Sequence, residues 1–474
     1  MKTLIKFLCL VACAAFIIAC DKTVQLDNEL SGVSLKSASS ECSVFVVYPN
    51  GTDDTGPLMQ AFADAKNAGP GSVVQLVEGK YFIGFIEIRE FTGSLIGAGK
   101  GKTIITALTG LDCDKIKTSE QKFTFLLKYI GGDVYMADLS FLAPSGGICS
   151  TGDGKMSGLL EFSDYQTGYN SSNMHIKACV NNVEFIGQPL TINGLPNFNI
   201  SKGIRASCDS NGPSDLTRSN IDITITNCSF ETIEYAVQYT TINNGSLVLG
   251  KQSNGNSFSG CKYSAQILDI INVTLSVTGN LFDVPKDGVG LWVSNNKQNK
   301  FISESQQRKT VCNVDRNTFK TAVGGKYTID ISDQRRFLGE QFPMLVHLKN
   351  NTVELEGGAA VGVNSVYLAG MVIRNNQFKG SSSSFAVRIV SNGTTFNEDG
   401  LMLGNNFSNF TSSYTVLLNN KTRNWSIVGG NLGENVNNLG ENNIITGMNV
   451  DTSEEPFGQT ITDNLEAMRD GMNF

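Results

Sequence analysis

The sequence contains little histidine, tryptophan or charge. Two His and two Trp occur in 474 residues, and 17% of the residues are charged, whereas about a quarter is usual in soluble domains. So few histidines argue against a zinc enzyme with several His ligands. Both His175 and His347 lie in strand-like runs, so we expect packed structural roles for them. The net charge of −7 argues against nucleic acid or an anionic membrane surface as a partner.

Long apolar runs are also missing, except at the start of the chain. Residues 7–19 are apolar and follow a short basic region with Lys2 and Lys6, which is typical of a secretory signal peptide and too short for an ordinary membrane span. The run ends in Ile-Ile-Ala-Cys20, which resembles the lipobox read by lipoprotein signal peptidase. The resemblance implies that residues 1–19 are removed and that Cys20 is acylated. A plain signal peptide with an incidental cysteine is the alternative.

The next segment, residues 20–42, is polar and rich in serine. Such a composition suits a flexible tether, which would lead from the lipid to a body formed by residues 43–474. Because no later run is long and apolar enough to span a bilayer, the lipid would be the only membrane attachment. We therefore expect a lipid-anchored protein of the cell envelope, with the outer membrane as the expected location.

Eight cysteines remain outside the signal peptide and the anchor. An even number in an exported protein permits disulfides, but the spacing is irregular and no CxxC pair occurs. We favour buried small hydrophobic residues over a disulfide framework, and either over a metal site. The eight are Cys42, Cys113, Cys149, Cys179, Cys208, Cys228, Cys261 and Cys312.

One pattern recurs from residue 180 onward: an Asn, one or two variable residues, then an aromatic. Each copy follows a short alternating stretch such as Ile-Asp-Ile-Thr-Ile-Thr226, and alternation with β-branched residues indicates strand. Successive members at 230, 258, 282, 319, 353, 378 and 407 are 24 to 37 residues apart. This spacing predicts a solenoid, in which the aromatics stack inside and the Asn residues stack at a turn. Drifting spacing and few two-residue hairpin turns argue against a sandwich or a propeller.

The body opens, in residues 51–105, with Gly-Thr-Asp-Asp-Thr, a helix-like Leu-Met-Gln-Ala-Phe62, and two glycine-bounded apolar segments. This opening resembles that of the pectate-lyase-like right-handed parallel β-helix proteins. The resemblance implies an all-β, single-stranded right-handed parallel β-helix with a short N-terminal capping helix. Leu58, Phe62 and Ala65 fall on one helical face, and Gly69 stands where that helix would end.

Two further features of the chain ends are structural in this interpretation. Asp53 and Asp54 belong to the helix opening, so we do not interpret them as a catalytic pair. Residues 462–472 have apolar positions three and four apart after a polar start, which predicts a C-terminal capping helix with Asp463 near its positive end.

The catalytic motifs of the related enzymes are missing. The polygalacturonase branch carries a mid-chain pair of aspartates, a Gly-His-Gly and an Arg-Ile-Lys, and this chain has none of them; Arg388-Ile389-Val390 lacks the lysine. The pectate lyase branch holds calcium with acidic residues and uses a basic residue to take the proton beside a uronate carboxylate. The resemblance therefore specifies the fold better than the activity.

Candidate site residues follow from the turn after each aromatic, where the cleft of related proteins often lies. Glu234, Lys262 and Asp287 come after Phe230, Phe258 and Phe282. Adjacent coils are about 4.8 Å apart, so these three would converge as acid, base and acid, with calcium held between Glu234 and Asp287 given further ligands. Arg388 is a fourth, weaker candidate. The alternative is that all four belong to the solvated outer face of a solenoid.

Three functions remain open on the sequence. The first is an envelope-anchored lyase or hydrolase of acidic polysaccharides. The second is a non-catalytic β-helix that binds glycan or another surface component, and the third is a structural lipoprotein. An acidic cleft with convergent Lys or Arg would favour the first, and a uniformly polar flank would favour the second.

Overall fold

The structure is a computed structural model. It describes residues 43–111, 125–146, 148–149, 155–163, 175–192, 195–207, 220–242, 244–295, 310–333, 344–391, 395–412, 414–429 and 436–446. The predicted signal peptide, the lipidated Cys20, the tether and the C-terminal capping helix lie outside these residues. Within them, no helix has the length and apolarity needed to cross a membrane.

The described chain contains a single α-helix, which follows the first strand. Helix α1 spans Thr55–Ala68, and Leu58, Phe62 and Ala65 on its inner face are buried, as predicted. The helix ends at Gly69, whose φ of +101° is open to glycine at little steric cost. Asp54 is fully buried and its carboxylate accepts the backbone N–H groups of Asn50 and Phe82 at 2.7 and 2.9 Å. Its structural interpretation is therefore confirmed.

The rest of the described chain is β-strand. The strands, in chain order, are β1 (Val44–Val47), β2 (Ser72–Leu76), β3 (Gly79–Ile83), β4 (Ile86–Ile96), β5 (Thr103–Ala107), β6 (Phe125–Leu142), β7 (Met156–Ser163), β8 (His175–Ile186), β9 (Pro189–Ile192), β10 (Leu195–Phe198), β11 (Ile200–Ser207), β12 (Asn220–Thr226), β13 (Ser229–Glu231), β14 (Tyr235–Ile242), β15 (Gly245–Leu249), β16 (Ser257–Ser259), β17 (Tyr263–Ile270), β18 (Val273–Thr278), β19 (Leu281–Val284), β20 (Val289–Asn295), β21 (Val311–Asp315), β22 (Thr318–Thr321), β23 (Tyr327–Asp333), β24 (Leu345–Lys349), β25 (Thr352–Glu356), β26 (Val361–Val366), β27 (Val372–Arg374), β28 (Gln377–Ser381), β29 (Val387–Val390), β30 (Asn397–Glu398), β31 (Leu401–Leu403), β32 (Asn406–Thr411), β33 (Val416–Leu418), β34 (Thr422–Arg423), β35 (Ser426–Val428), β36 (Val436–Asn438) and β37 (Ile444–Thr446).

These strands wind into a right-handed parallel β-helix, as predicted. Of the described strands, 33 form one continuous network, in which each strand pairs in parallel with the equivalent strand of the next coil. Three faces result. The front sheet runs β4–β6–β7–β11–β14–β17–β20–β23–β26–β29–β33–β36. A second sheet includes β8, β12, β15, β18, β21, β24 and β27, and a third includes β13, β16, β19, β22, β25 and β28.

The recurring aromatics stack inside the third sheet. Phe230, Phe258, Phe282 and Phe319 follow one another with ring centroids 5.0, 4.7 and 4.5 Å apart and nearly parallel planes. All four are buried. Each coil therefore covers the apolar face of the previous one, which is how a solenoid repeat obtains a core.

The recurring asparagines form a buried column two residues before these aromatics. Asn317 Nδ2 donates to Asn351 Oδ1 at 3.0 Å and to the carbonyl of Val277 at 2.8 Å. The same pair of bonds repeats at Asn256, Asn280 and the later members. Stacking of Asn at a turn is thus confirmed, and it satisfies polar groups that burial would otherwise leave unpaired.

The residue before most asparagines of this column holds a left-handed backbone conformation. Asn350 and Asn375 have φ of 57° and 53°, and Gly279 and Gly404 have φ of 71° and 61°. Asn and Gly adopt this region at low cost, which explains why the repeat begins with Asn-Asn or Gly-Asn. The motif therefore combines a turn residue with an asparagine of the buried column.

The described cysteines agree mainly with burial as small hydrophobic residues. Cys179, Cys228, Cys261 and Cys312 are buried thiols, and burial raises the pKa of Cys228 to about 12. Cys149 differs, because it is disulfide-bonded. One disulfide is therefore present where we expected mostly thiols.

Both histidines lie in strands, but neither is packed in the core. His175 in β8 is 45% exposed, and its Nε2 lies 2.9 Å from Asp222 Oδ2. His347 in β24 is half-buried between the buried Val346 and Leu348. Each occupies an outward-facing position of the second sheet.

Candidate active site on the front sheet

One outward position of the front sheet carries polar or aromatic side chains on ten successive coils. Strand pairing puts these positions in register, so they form a straight row across the coils, about 4.8 Å apart. We call this the polar row, and its members are Glu87, Lys128, Glu161, Arg205, Gln238, Gln266, Trp292, Asp330, Asn364 and Arg388.

The first charged part of the row centres on Glu161. Its carboxylate is 1% exposed and lies 2.8 Å from Arg205 Nη1 and 3.4 Å from Lys128 Nζ. The buried Leu160 and Phe162 on either side of Glu161 point to the core, so strand alternation aims the carboxylate outward. Two cations on one buried carboxylate compensate its desolvation, and they leave a local surplus of positive charge.

A second chain of contacts lies beside the first, on the loops and strand starts next to β11 and β14. Lys202 Nζ donates to Ser201 Oγ at 3.2 Å, and Ser201 Oγ donates to Glu234 Oε2 at 3.4 Å. Glu234 also pairs with Lys155. We call Lys128, Lys155, Glu161, Lys202, Arg205 and Glu234 the basic cluster; it has four cationic side chains and two carboxylates.

Lys202 is the unusual member of the basic cluster. It is 9% exposed, and burial, followed by the nearby Arg205, lowers the pKa of its ammonium group from 10.5 to about 8. Glu234 opposes this shift in part. A lysine with such a pKa exists partly as the neutral amine near physiological pH, and a neutral amine accepts a proton.

Aromatic side chains continue from Lys202 along the coils. Lys202 Nζ lies 5.7 Å from the ring centroid of Tyr235. Tyr235 stacks on Tyr263 at 4.8 Å, and Tyr263 contacts Trp292 at 5.4 Å with tilted planes. Burial raises the pKa of Tyr235 to about 12, so its hydroxyl keeps its proton. The basic cluster and the adjacent Tyr235 thus bring together a neutralisable amine, a fixed guanidinium and a protonated phenol on neighbouring coils.

The structure brings Glu234 into this cluster but leaves Lys262 at its margin. Backbone bonds from Lys262 N to Ile233 O and from Tyr263 N to Glu234 O show that Glu234 and Lys262 occupy equivalent places on successive coils, as predicted. Lys262 Nζ nevertheless lies over the Tyr263 ring, 5.6 Å from its centroid. Glu234 pairs with Lys155 instead.

Asp287 does not join these two residues in register. Val289 pairs with Tyr263, so Gly288 is the residue equivalent to Lys262, and Asp287 stands one position earlier. Asp287 is exposed and has a left-handed φ of 59°. The reason is a longer turn: Phe282 and Val289 are separated by two residues more than Phe258 and Tyr263.

Arg388 lies in the polar row, far from the basic cluster. Its Nη1 is 3.5 Å from Tyr327 Oη. For calcium, the described residues contain no group of three His, Cys, Asp or Glu side chains placed to hold a metal ion. Glu234 is already bound to Lys155 and Asp287 is out of register, so this pair does not fit the proposed calcium site.

Sequence reasoning missed Glu161, Lys202 and Arg205. A usable pattern was present, because Leu-Leu-Glu-Phe-Ser163 and Ile-Arg-Ala-Ser207 place opposite charges two residues before a serine at the end of an apolar strand. Strand pairing aligns Glu161 with Arg205 and Ser163 with Ser207. The turns after the aromatics contain Glu234, whereas Glu161 and Arg205 are charges inside apolar strands.

The fold has relatives among solved structures. The chain is similar to the A-module of a mannuronan C-5 epimerase of Azotobacter vinelandii, with 14% identity and a TM-score of 0.50 over 84% of this chain and 95% of that one. It is also similar to an exopolygalacturonase of Thermotoga maritima, with 12% identity and a TM-score of 0.41 over 84% and 91% of the two chains. At these identities the similarity shows the fold alone. No family model and no curated protein sequence matches the chain.

Proposed function

We propose that this protein is an enzyme of acidic polysaccharides that removes the proton next to a uronate carboxylate, as lyases do. The observation that carries the proposal is Lys202, a buried lysine with a pKa of about 8 next to the Arg205–Glu161 ion pair. The four cationic and two acidic side chains of the basic cluster give it a positive balance, which favours an anionic sugar. The similar epimerase is named for a polysaccharide substrate, which is consistent with a glycan partner.

The proposed step uses Lys202 and Arg205 of the basic cluster and the adjacent Tyr235. Neutral Lys202 Nζ takes the C5 proton of a uronate, and the electron pair of that C–H bond moves into the carboxylate. Arg205 stabilises the charge that develops there, since a fixed cation in a poorly hydrated site is most effective where charge appears. The electron pair then forms the C4–C5 double bond as the C4–O bond breaks. The Tyr235 hydroxyl donates its proton to the leaving oxygen.

A hydrolase fits the geometry less well. Hydrolysis uses one protonated and one ionised carboxyl group, whereas Glu161 is held between two cations and Glu234 pairs with Lys155. Both carboxylates of the cluster are thus engaged by cationic side chains, so neither is placed as a free carboxyl group facing a substrate. Calcium remains a proposed cation to be tested by addition, but no step described here passes through it.

The test is proton exchange in heavy water. The purified body, residues 43–474, is incubated with pectic, alginate and glycosaminoglycan oligomers, with and without calcium, and deuterium at C5 is followed by NMR together with the ultraviolet absorbance of unsaturated products. Deuterium incorporation that Lys202→Met abolishes and Lys262→Met retains is expected. Incorporation without new absorbance would indicate epimerisation in place of elimination. Binding without any exchange would replace the proposal with a non-catalytic glycan-binding function.

We further propose that the enzyme is held to the outer membrane through a lipid on Cys20. This rests on the lipobox-like Ile-Ile-Ala-Cys20 and the polar segment behind it. In a bacterial host, wild type is expected in the membrane fraction with incorporated labelled fatty acid, and Cys20→Ser is expected to lose the label. Equal labelling of both would contradict lipidation at Cys20.

A further inference from the structure

A second group of functional side chains lies on the same face of the solenoid, toward the C-terminal coils. We call Trp292, Tyr327, Asp330, Asn364 and Arg388 the distal cluster. Trp292, Asp330, Asn364 and Arg388 are consecutive members of the polar row. Tyr327 lies three residues before Asp330 in β23.

The contacts in the distal cluster link an acid, an amide and a cation. Asn364 Nδ2 donates to Asp330 Oδ1 at 2.8 Å, and Arg388 Nη1 donates to Tyr327 Oη at 3.5 Å. Burial raises the pKa of Asp330, against the opposing effects of Asn364 and Arg388. An arginine carries five N–H donors in a planar fork suited to a carboxylate, and most of this fork is not used by Tyr327.

An orphaned acceptor marks the same place. Asn364 is 4% exposed, and its Oδ1 has no hydrogen-bond partner within the described part of the chain. Buried acceptors are nearly always satisfied in folded proteins. A hydroxyl group of a ligand that reaches this oxygen would satisfy it.

The two clusters are too far apart to bind one sugar unit, but a single polysaccharide chain is long enough to reach both. Six coil steps lead from Arg205 in β11 to Arg388 in β29, which at ~4.8 Å per step is about 29 Å. One pyranose unit of a linear glycan advances by about the length of one step, so one unit lies over each coil. Between the clusters the row carries Gln238 and Gln266, joined at 2.6 Å, which are suited to sugar hydroxyls.

We propose that the distal cluster is a second subsite for the same acidic polysaccharide, in which Arg388 binds the carboxylate of a uronate six units from the one at the basic cluster. Asn364, Asp330 and Trp292 lie one, two and three coils before Arg388, so they face the three units that precede that uronate. Asn364 and Asp330 bind hydroxyls of these units, and Trp292 packs against a sugar ring. The inference rests on the proposed function for the identity of the ligand. It adds that the enzyme selects long polymers.

The test compares a uronate trimer with a heptamer. For Arg388→Met, kcat/KM of deuterium exchange is expected to fall about tenfold on the heptamer, because a hydrogen-bonded ion pair is lost, and to stay unchanged on the trimer. Arg388→Lys is expected to recover part of the loss. Arg374→Met is the matched control, since Arg374 is a half-buried arginine at the end of β27 in the second sheet, and it is expected to affect neither oligomer.

The outcomes separate this inference from the proposed function. Wild-type exchange that is equally efficient on both oligomers, or an equal loss on both in Arg388→Met, would overturn the distal subsite while leaving the chemistry at Lys202 intact. If no oligomer exchanges, calorimetry with the same two oligomers decides. Tighter binding of the heptamer that Arg388→Met removes would support the subsite without the proposed activity, and binding independent of length would overturn both.

Discussion

The buried ammonium group of Lys202 has a measurable effect on stability as well as on chemistry. Its pKa is about 8 in the folded protein against 10.5 for an ordinary lysine. Each unit of difference corresponds to about 1.4 kcal/mol, so keeping Lys202 protonated lowers the free energy of unfolding by about 3 kcal/mol. Lys202→Met removes this penalty and retains most of the apolar stem.

The sign of the pH dependence follows from the same two pKa values. Between about pH 8 and pH 10.5 the unfolded chain binds more protons than the folded one, so the wild type gains stability as the pH rises. Lys202→Met lacks this contribution. The difference in free energy of unfolding between the two proteins is therefore expected to change by about 3 kcal/mol from pH 7 to above pH 10, in favour of the wild type.

Urea unfolding of both proteins at a series of pH values measures this difference, and Lys262→Met serves as the control for loss of a lysine beside an aromatic ring. The activity should follow the same group: exchange is expected to rise with pH through about 8 and to fall by about 10²-fold or more in Lys202→Met. A stability difference that does not change with pH, or exchange that survives the substitution, would refute the assignment of Lys202 as a depressed-pKa base.

Three other predictions concern the framework around the site. Glu161→Gln removes the buried carboxylate that pairs with Arg205 and Lys128, so urea unfolding should show a loss of about 3 kcal/mol; an unchanged midpoint would contradict the pairing. Asn317→Ala interrupts the asparagine column and orphans a buried carbonyl, with an expected loss of about 2 kcal/mol, whereas Asn409→Ala at an exposed position of β32 should change the free energy of unfolding by roughly 0.5 kcal/mol or less. Deletion of residues 451–474 should increase light scattering if the predicted C-terminal helix covers the last coil, because open strand edges associate; a monodisperse deletion variant would count against that cap.

Much of the architecture can be predicted from local sequence. The Asn-x-Phe repeat supplies two contacts between successive coils: an amide that hydrogen-bonds to the next coil and a ring that stacks on the next ring. Both residues recur at fixed offsets from the turn. The capping helix is equally local, since Leu58, Phe62 and Ala65 share a face before Gly69. These features repeat because each coil meets the same neighbour on either side.

The candidate site depends on register, which local sequence does not fix. Glu161 and Arg205 are 44 residues apart, and they meet because β7 and β11 pair in parallel with these two positions aligned. Glu234 and Lys262 lie at the same offset from their aromatics because the two turns have equal length, and Asp287 is out of register because the turn after Phe282 is two residues longer. The lowered pKa of Lys202 was equally out of reach, because it arises from burial beside Arg205 on the folded front sheet. The sequence by itself determined the coil, its ladders and its cap, since those contacts lie at constant offsets; which outward charges face each other was decided only when variable turns set the strands side by side.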